Sequence, residues 1–418
     1  MKLASIGWSA AGLAAPLMVA LMTVPPLLDR LGNERFGLLS LAWALTAISG
    51  LFDLGLGRAT TRLVADQLGR GDTQAPRGTV AVALRFAAGA GMGGAALLAL
   101  GTLLGLDRLL RLASVDPSEV RQALWLLALA IPLQTLIATY RGVSEACQQF
   151  RGISLLRMAL GVANFAAPLA VAQFSTHLAA LVAALLTARV LALLGFRHLA
   201  LASLPPGPGV PLAASERRQL LHSGGWFTVS AIVSPLLVQA DRFFIAALVS
   251  TAAVASYTVP FDIITQLLIG VTAVSTVAFP SITHLLRQGA GQARQQFRRW
   301  LWRVVVVMAL LCLSVALVLP VVLPLWVGNA LPPEAITVGR WLCLGVWINA
   351  IGSMHFAWLH AQGRFRATAL LHVLELPLYI VLLMVLLARF GVVGAAMAWT
   401  ARVALDTAGL AWLAGRKV

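Results

Sequence analysis

Trp8 to Leu28 reads WSAAGLAAPLMVALMTVPPLL, 21 residues without a charge. A helix needs about 20 such residues to cross the hydrocarbon core of a bilayer, whereas the apolar core of a signal peptide stops at about 7–15. The stretch behind Lys2 is therefore expected to remain in the protein as a membrane span. Outward from it the pattern recurs, predicting further helices over 36–57, 78–105, 121–141, 154–174, 178–203, 220–249, 254–284, 300–327, 335–360, 367–389 and 392–414. Twelve spans leave connections of about ten residues and no room for a sizeable soluble domain. Composition agrees, because 60% of the 418 residues are hydrophobic and 11% charged, against roughly a quarter charged in an ordinary soluble domain. The expected class is an all-α polytopic membrane protein.

The net charge is +16, and Lys2 and Lys417 are the only lysines among the basic residues. Such a balance could serve a nucleic acid, but these arginines lie in short turns between apolar runs, where a membrane protein records its orientation. One set of alternate connections carries Arg58, Arg62, Arg70, Arg77, Arg141, Arg151, Arg157, Arg217, Arg218, Arg287, Arg294, Arg298, Arg299, Arg364, Arg366 and Arg416. The opposite set carries Arg30, Arg35, Arg108, Arg111, Arg121, Arg340 and Arg389. Positive charge concentrates on the cytoplasmic side, so both termini are expected there, which an even number of spans requires.

Pro205, Pro206, Gly207, Pro208, Gly209 and Pro211 precede Ser215-Glu216-Arg217-Arg218 and punctuate the chain near its middle. Gly7-Trp8-Ser9 opens a span containing Pro16, and Gly225-Trp226-Phe227 opens another containing Pro235. A midpoint linker, matching helix counts and this echo predict an N-terminal six-helix lobe at 1–204, a cytoplasmic linker at 205–219 and a C-terminal six-helix lobe at 220–418.

Several chemistries find no support. No G-x-x-x-x-G-K-[ST] loop, H-E-x-x-H or nucleophile elbow occurs, so neither ATP hydrolysis nor another enzymatic activity is expected. Cys147, Cys312 and Cys343 have no pairing or metal-ligand spacing, so no metal site and no cofactor are expected. Gly89-Ala90-Gly91-Met92-Gly93-Gly94 lies inside an apolar run with no strand before it, and Gly89 and Gly93 read as a small-residue face for a neighbouring helix.

Ionisable residues inside the spans stand out, because each costs about 3 kcal/mol at the bilayer centre and normally faces a partner or a cavity. Asp241-Arg242 and Asp262 fall at similar distances from the turn near Thr251, so an antiparallel hairpin would bring Arg242 level with Asp262. That arrangement fits a structural ion pair or a charged patch on a water-filled path. Asp53, near the end of the second span, suits a helix cap or a pair with Arg58. Arg402 and Asp406 are spaced for an intrahelical pair, and Glu375 precedes the helix-kinking Pro377. His355 and His360 read as hydrogen-bonded interior residues.

Glu34-Arg35-Phe36-Gly37, Asp53-Leu54-Gly55-Leu56-Gly57, Ala240-Asp241-Arg242-Phe243-Phe244-Ile245 and Val254-Ala255-Ser256-Tyr257 resemble the polysaccharide-exporter, or O-antigen flippase, branch of the multidrug/oligosaccharidyl-lipid/polysaccharide superfamily. Ala361-Gln362-Gly363-Arg364-Phe365-Arg366 and Gly391-Val392-Val393-Gly394-Ala395-Ala396 are similar to that family's turn after helix 10 and entry into helix 12. The resemblance implies two six-helix bundles forming a V around a central cavity in the bacterial inner membrane. Such a protein moves an undecaprenyl-diphosphate-linked oligosaccharide to the periplasmic leaflet by alternating access, with an ion gradient as the energy source. It also implies polysaccharide polymerase and glycosyltransferases as protein partners, and no nucleic acid.

Arginine suits a diphosphate, since its planar fork binds phosphate oxygens bidentately and stays charged. Arg242, with Arg58, Arg62 and Arg141 at the helix mouths, are the expected substrate-binding residues, and Asp241, Asp262 and Asp53 the expected ion-coupling ones. Lipid II flippases, which have fourteen helices and arginines clustered in the first two spans, differ from a chain whose first span has no arginine before Arg30. Two alternatives stay open: a multidrug cation antiporter using the same acidic residues, and a non-transporting scaffold of a polysaccharide assembly complex.

Overall fold

The computed structural model describes residues 3–53, 55–206, 210, 237–271, 274, 290–328, 330–362 and 364–415. The Gly225-Trp226-Phe227 echo, Pro235, Arg287, Arg416 and nearly all of the 205–219 linker lie outside them. Among the described residues every regular element is helical. Eight of the helices are long and apolar enough to cross a bilayer. The chain divides into two compact units, Met1–Gln239 and Ala240–Val418.

The first unit begins with α1 (Leu3–Ile48), two helical arms meeting at Gly32, whose φ of 68° leaves the helical region. A left-handed backbone is nearly free only to glycine, so this residue breaks a long apolar run into two arms. After a 3₁₀ turn at Ser49–Asp53 come α2 (Leu56–Gly69), α3 (Ala75–Leu103), α4 (Pro117–Ala146), α5 (Phe150–Val171) and α6 (Leu178–Ser203). Helix α4 touches α2, α3 and α6 and forms the centre of the unit. Its N-terminus is capped by Asp116, whose carboxylate accepts the Ser118 N–H at 2.8 Å; that bond holds the Asp116 pKa below the usual carboxylate range.

The Glu34-Arg35 pair acquires a structural reason. Glu34 accepts the Ala113 and Ser114 N–H groups at 2.6 and 2.9 Å, fastening the α3–α4 connection. Arg35 grips Glu119 with two bonds of 3.2 Å, and Glu119 also accepts the Leu178 N–H at the start of α6 at 2.5 Å. One carboxylate thus ties α1, α4 and α6 together. Glu119→Leu should lower stability by about 2 kcal/mol, as loss of charge-assisted hydrogen bonds does. Glu119→Gln should lie between, because it still accepts from Leu178. Thermal midpoints of the detergent-solubilised proteins will rank the three.

Two sequence expectations are corrected here. Residues 58–69, expected within a connection, belong to the helix α2. The close-packing glycines of α3 are not Gly89 and Gly93, at which an added Cβ would meet nothing within 4 Å. Gly91 lies against Pro132 and Gly94 against the Phe52 ring, with added Cβ atoms 2.6 and 2.7 Å from them. The helix is rotated so that the 91/94 pair, not the 89/93 pair, faces its neighbours.

The second unit contains α7 (237–248) from Ala240 onward, α8 (Thr251–Ile264), α9 (Ala290–Val327), α10 (Glu334–Ala361) and α11 (Phe365–Gly415). Helical turns continue α8 to Val271. Helix α10 touches α8, α9 and α11 and is the centre of this unit. Like α1, α11 consists of two arms, broken at Gly391 with φ 56°. The outer face of α9 presents Val307, Leu310, Leu313, Leu317 and Leu325 more than half exposed, a surface that suits lipid and not water.

Candidate functional site

The hairpin of α7 and α8 turns at Val249-Ser250, where the Ser250 hydroxyl caps α8 by accepting the Ala253 N–H at 3.1 Å. The tight turn sets the register, so Arg242 Nη2 donates to Asp262 Oδ1 at 2.6 Å. Arg242 is 5% exposed at its side chain and Asp262 48%, so the pair joins the interior to a wetter surface. The Arg242 guanidinium also lies 5.7 Å from the centre of the Phe261 ring, and its Nε has no hydrogen-bond partner among the described residues.

Asp241 points elsewhere. It is wholly buried and takes the Arg242 backbone N–H at 2.8 Å, the Tyr257 hydroxyl, and the Tyr379 hydroxyl from α11 at 3.4 Å. Two of the chain's three tyrosines thus serve one carboxylate. The Tyr379 ring lies 5.7 Å from the Arg402 guanidinium, which is 4.0 Å from Glu375. Arg402 therefore reaches across to the first arm of α11 and not to Asp406, its intrahelical candidate. Asp406 instead meets His372 Nε2 at 3.5 Å. His372, Glu375 and Asp406 each offer an atom within 4.8 Å of the others, within the reach of one small cation.

Sequence reasoning missed this part of the network. Its residues were visible singly, but the Gly391 break, which folds one arm of α11 back beside the other, carries no charge signal. Also missed was Arg189 in α6, buried at 5% exposure, whose Nη1 donates to Leu185 O at 3.0 Å and which has no carboxylate partner among the described residues. His355 and His360 are hydrogen-bonded as expected, to Ile351 O at 3.0 Å and Thr368 Oγ1 at 3.2 Å.

The remaining expected site residues belong to the first unit. Asp53 accepts the Gly57 N–H with both oxygens at 3.1 Å and so caps α2 rather than the end of the preceding span, because α1 has already stopped at Ile48. Arg58 and Arg62 are exposed on α2, and Arg141 on α4 makes a 3.5 Å pair with Glu145. Helices α2 and α4 meet where Thr61 Oγ1 donates to the carbonyls of Gly57 and Gly142, each at 3.0 Å. That contact brings the bases of Arg58 and Arg141 to one end of the unit.

A family model described as "Polysaccharide biosynthesis protein" matches residues 3–286. A Shigella flexneri protein named "Putative O-antigen transporter" is 29% identical over 97% of this chain and 96% of its own length. An inward-facing multidrug resistance MATE family transporter of the MOP superfamily shares the fold at a TM-score of 0.76, with 13% identity and 97% of each chain covered. The lipid II flippase MurJ in an inward closed conformation does so at 0.73, with 12% identity, covering 98% of this chain and 87% of its own.

Proposed function

The chain belongs to the polysaccharide biosynthesis protein family, and from that premise we propose that it is a flippase for a lipid-linked polysaccharide precursor. In this reading it carries an undecaprenyl-diphosphate-linked oligosaccharide from the cytoplasmic to the periplasmic leaflet by alternating access. The observation that carries the reading is the end-to-end similarity to an O-antigen transporter. The MATE and MurJ likenesses are nearly equal and so do not separate drug from glycolipid. The antiporter reading has the buried carboxylates of the second unit in its favour, since such groups attract organic cations.

The proposal includes twelve spans in two six-helix lobes, 1–204 and 220–418, arranged as a V and joined by the linker 205–219. It places both termini and that linker on the cytoplasmic side of the inner membrane, an orientation supported by the arginine asymmetry. Arg242, Arg58, Arg62 and Arg141 receive the diphosphate in successive states, and an ion gradient drives the cycle. Polysaccharide polymerase and glycosyltransferases act beside it.

Proteoliposomes holding the purified protein and a fluorescent undecaprenyl-diphosphate oligosaccharide test this. Glycan should become accessible to an added glycosidase only with the protein, and faster with a proton or sodium gradient. A protein that leaves the glycolipid in place but exports an organic cation under the same gradient is the antiporter.

A further inference from the structure

Among the described residues around Asp241 and Glu375, carboxylates outnumber guanidiniums. Buried Asp241 and Glu375 and the 15%-exposed Asp406 stand against buried Arg242 and the 12%-exposed Arg402, while Asp262 is 48% exposed. Among these described groups the carboxylates exceed the guanidiniums by one, in a region where an uncompensated carboxylate is too costly to persist. The deficit has a location. Asp241 accepts three hydrogen bonds and has Arg242 beside it. Glu375, 5% exposed, has as its charged partner the Arg402 guanidinium at 4.0 Å. Asp406 adds a second carboxylate next to it, with the His372 imidazole at 3.5 Å.

We propose that His372, Glu375 and Asp406 form a binding site for one exchangeable proton, separate from the Asp241 and Asp262 carboxylates, and that this proton couples the transport cycle to a gradient. The coupling half rests on the flippase reading; the binding half does not. The donor set selects the ligand. Hard cations take oxygen ligands, so the imidazole would add nothing to their binding. A transition metal would accept the imidazole, but a divalent ion beside Arg402 exceeds the missing charge by one. A proton supplies that one charge, held on the imidazole facing Asp406 or on one of the two neighbouring carboxyls.

Exposure is graded along the cluster, from 30% at His372 through 15% at Asp406 to 6% at Glu375. The imidazole is thus the outermost member of the cluster and the Glu375 carboxyl the innermost. The groups facing the cluster are few. From α10 comes His360, whose ring lies 3.8 Å from that of Phe356, itself stacked on His372 at 5.9 Å. From α11 come Arg402 and Tyr379, and beyond Tyr379 lie Asp241 of α7 and Tyr257 of α8. His372 and Glu375 stand on the arm of α11 before Gly391, and Asp406 and Arg402 on the arm after it. Loss of the proton leaves two like charges facing each other between the arms, so occupancy of the site bears directly on how the arms pack.

The test uses the full chain in lipid nanodiscs without substrate. Infrared difference spectra across a pH titration report the carboxyl C=O and imidazole bands. The wild type should show one proton taken up, with bands that Glu375→Gln abolishes and His372→Gln shifts. Glu375→Asp should keep the proton with a moved midpoint, which guards against a variant that misfolds. Asp66→Asn, at an exposed carboxylate paired with Arg70 in the first unit, should leave the bands alone. Unchanged bands in Glu375→Gln and His372→Gln would overturn the site, as would sodium or zinc releasing the proton at constant pH. In proteoliposomes Glu375→Gln should lose the stimulation by a proton gradient. If it titrates as expected yet keeps that stimulation, the coupling half is wrong. A wild type that titrates but moves no glycolipid refutes the flippase reading and leaves the site standing.

Discussion

Arg242→Leu is expected to cut the amount of folded protein in the membrane severely, and the reason lies with Asp241 more than with Asp262. Removing one partner of a buried pair costs about 3–5 kcal/mol, because the other charge stays buried without compensation. Asp262 is half exposed and can turn to water, but Asp241 has no exposure at all. Its two tyrosine hydroxyls would remain, and they offset only part of the loss. A leucine at Arg242 with leucine at Asp262 should therefore still be depleted. Adding Asp241→Asn to that double variant should restore abundance, since uncharged groups of similar volume often replace a buried ion cluster without loss.

The restored variant then separates the two roles of Arg242. If the guanidinium serves structure alone, the triple variant will return surface polysaccharide to a flippase-deficient strain at normal abundance. If Arg242 receives a diphosphate, the variant will insert normally and return none, and Arg242→Lys will be abundant but slow for want of the bidentate fork. Immunoblots of membranes and of surface polysaccharide from the same cells read both quantities. Full restoration by the triple variant removes Arg242 from the substrate path.

Gly142→Leu should be the most damaging substitution in the first unit. A Cβ at Gly142 would sit 2.4 Å from the Gly57 carbonyl oxygen and 3.0 Å from Thr61 Oγ1. The nearer atom is backbone, so no side-chain rotation relieves the clash and α2 must move off α4. Overpacking of this kind costs about 3 kcal/mol, and the move also breaks the Thr61 bridge to both carbonyls. Gly93→Leu, one helix away with nothing within 4 Å, should be close to neutral. Size-exclusion profiles and thermal midpoints of the two solubilised proteins measure the contrast. Equal behaviour would mean that α2 does not depend on this contact, and Arg58 and Arg141 would then not be held together by it.

The α7–α8 hairpin was legible in the sequence because its geometry is local. With 1.5 Å of rise per residue and a tight turn, equal distances from the turn bring Arg242 and Asp262 level. The same reasoning did not reach Glu375 or Arg402. Their spacing with Pro377 and Asp406 suggested a kink and an intrahelical pair, and the structure instead pairs Arg402 with Glu375 and Asp406 with His372 across two arms of one helix. For Asp53 the sequence left a helix cap and a pair with Arg58 open, and it caps α2 because α1 ends earlier than its apolar run suggests.

By itself the sequence determined that this chain lives in a bilayer, that it is helical, which family it belongs to, and that Arg242 and Asp262 meet. All of these depend on composition, on a periodicity of one element, or on neighbours along the chain. Tertiary structure alone decided that Gly91 and Gly94 rather than Gly89 and Gly93 are the packed pair, and that Asp241 is shared by Tyr257 and Tyr379. It alone gathered His372, Glu375 and Asp406. The helical repeat fixes which residues share a face, but the rotation of each helix about its axis is chosen by packing against its neighbours, and only that rotation says which face meets which.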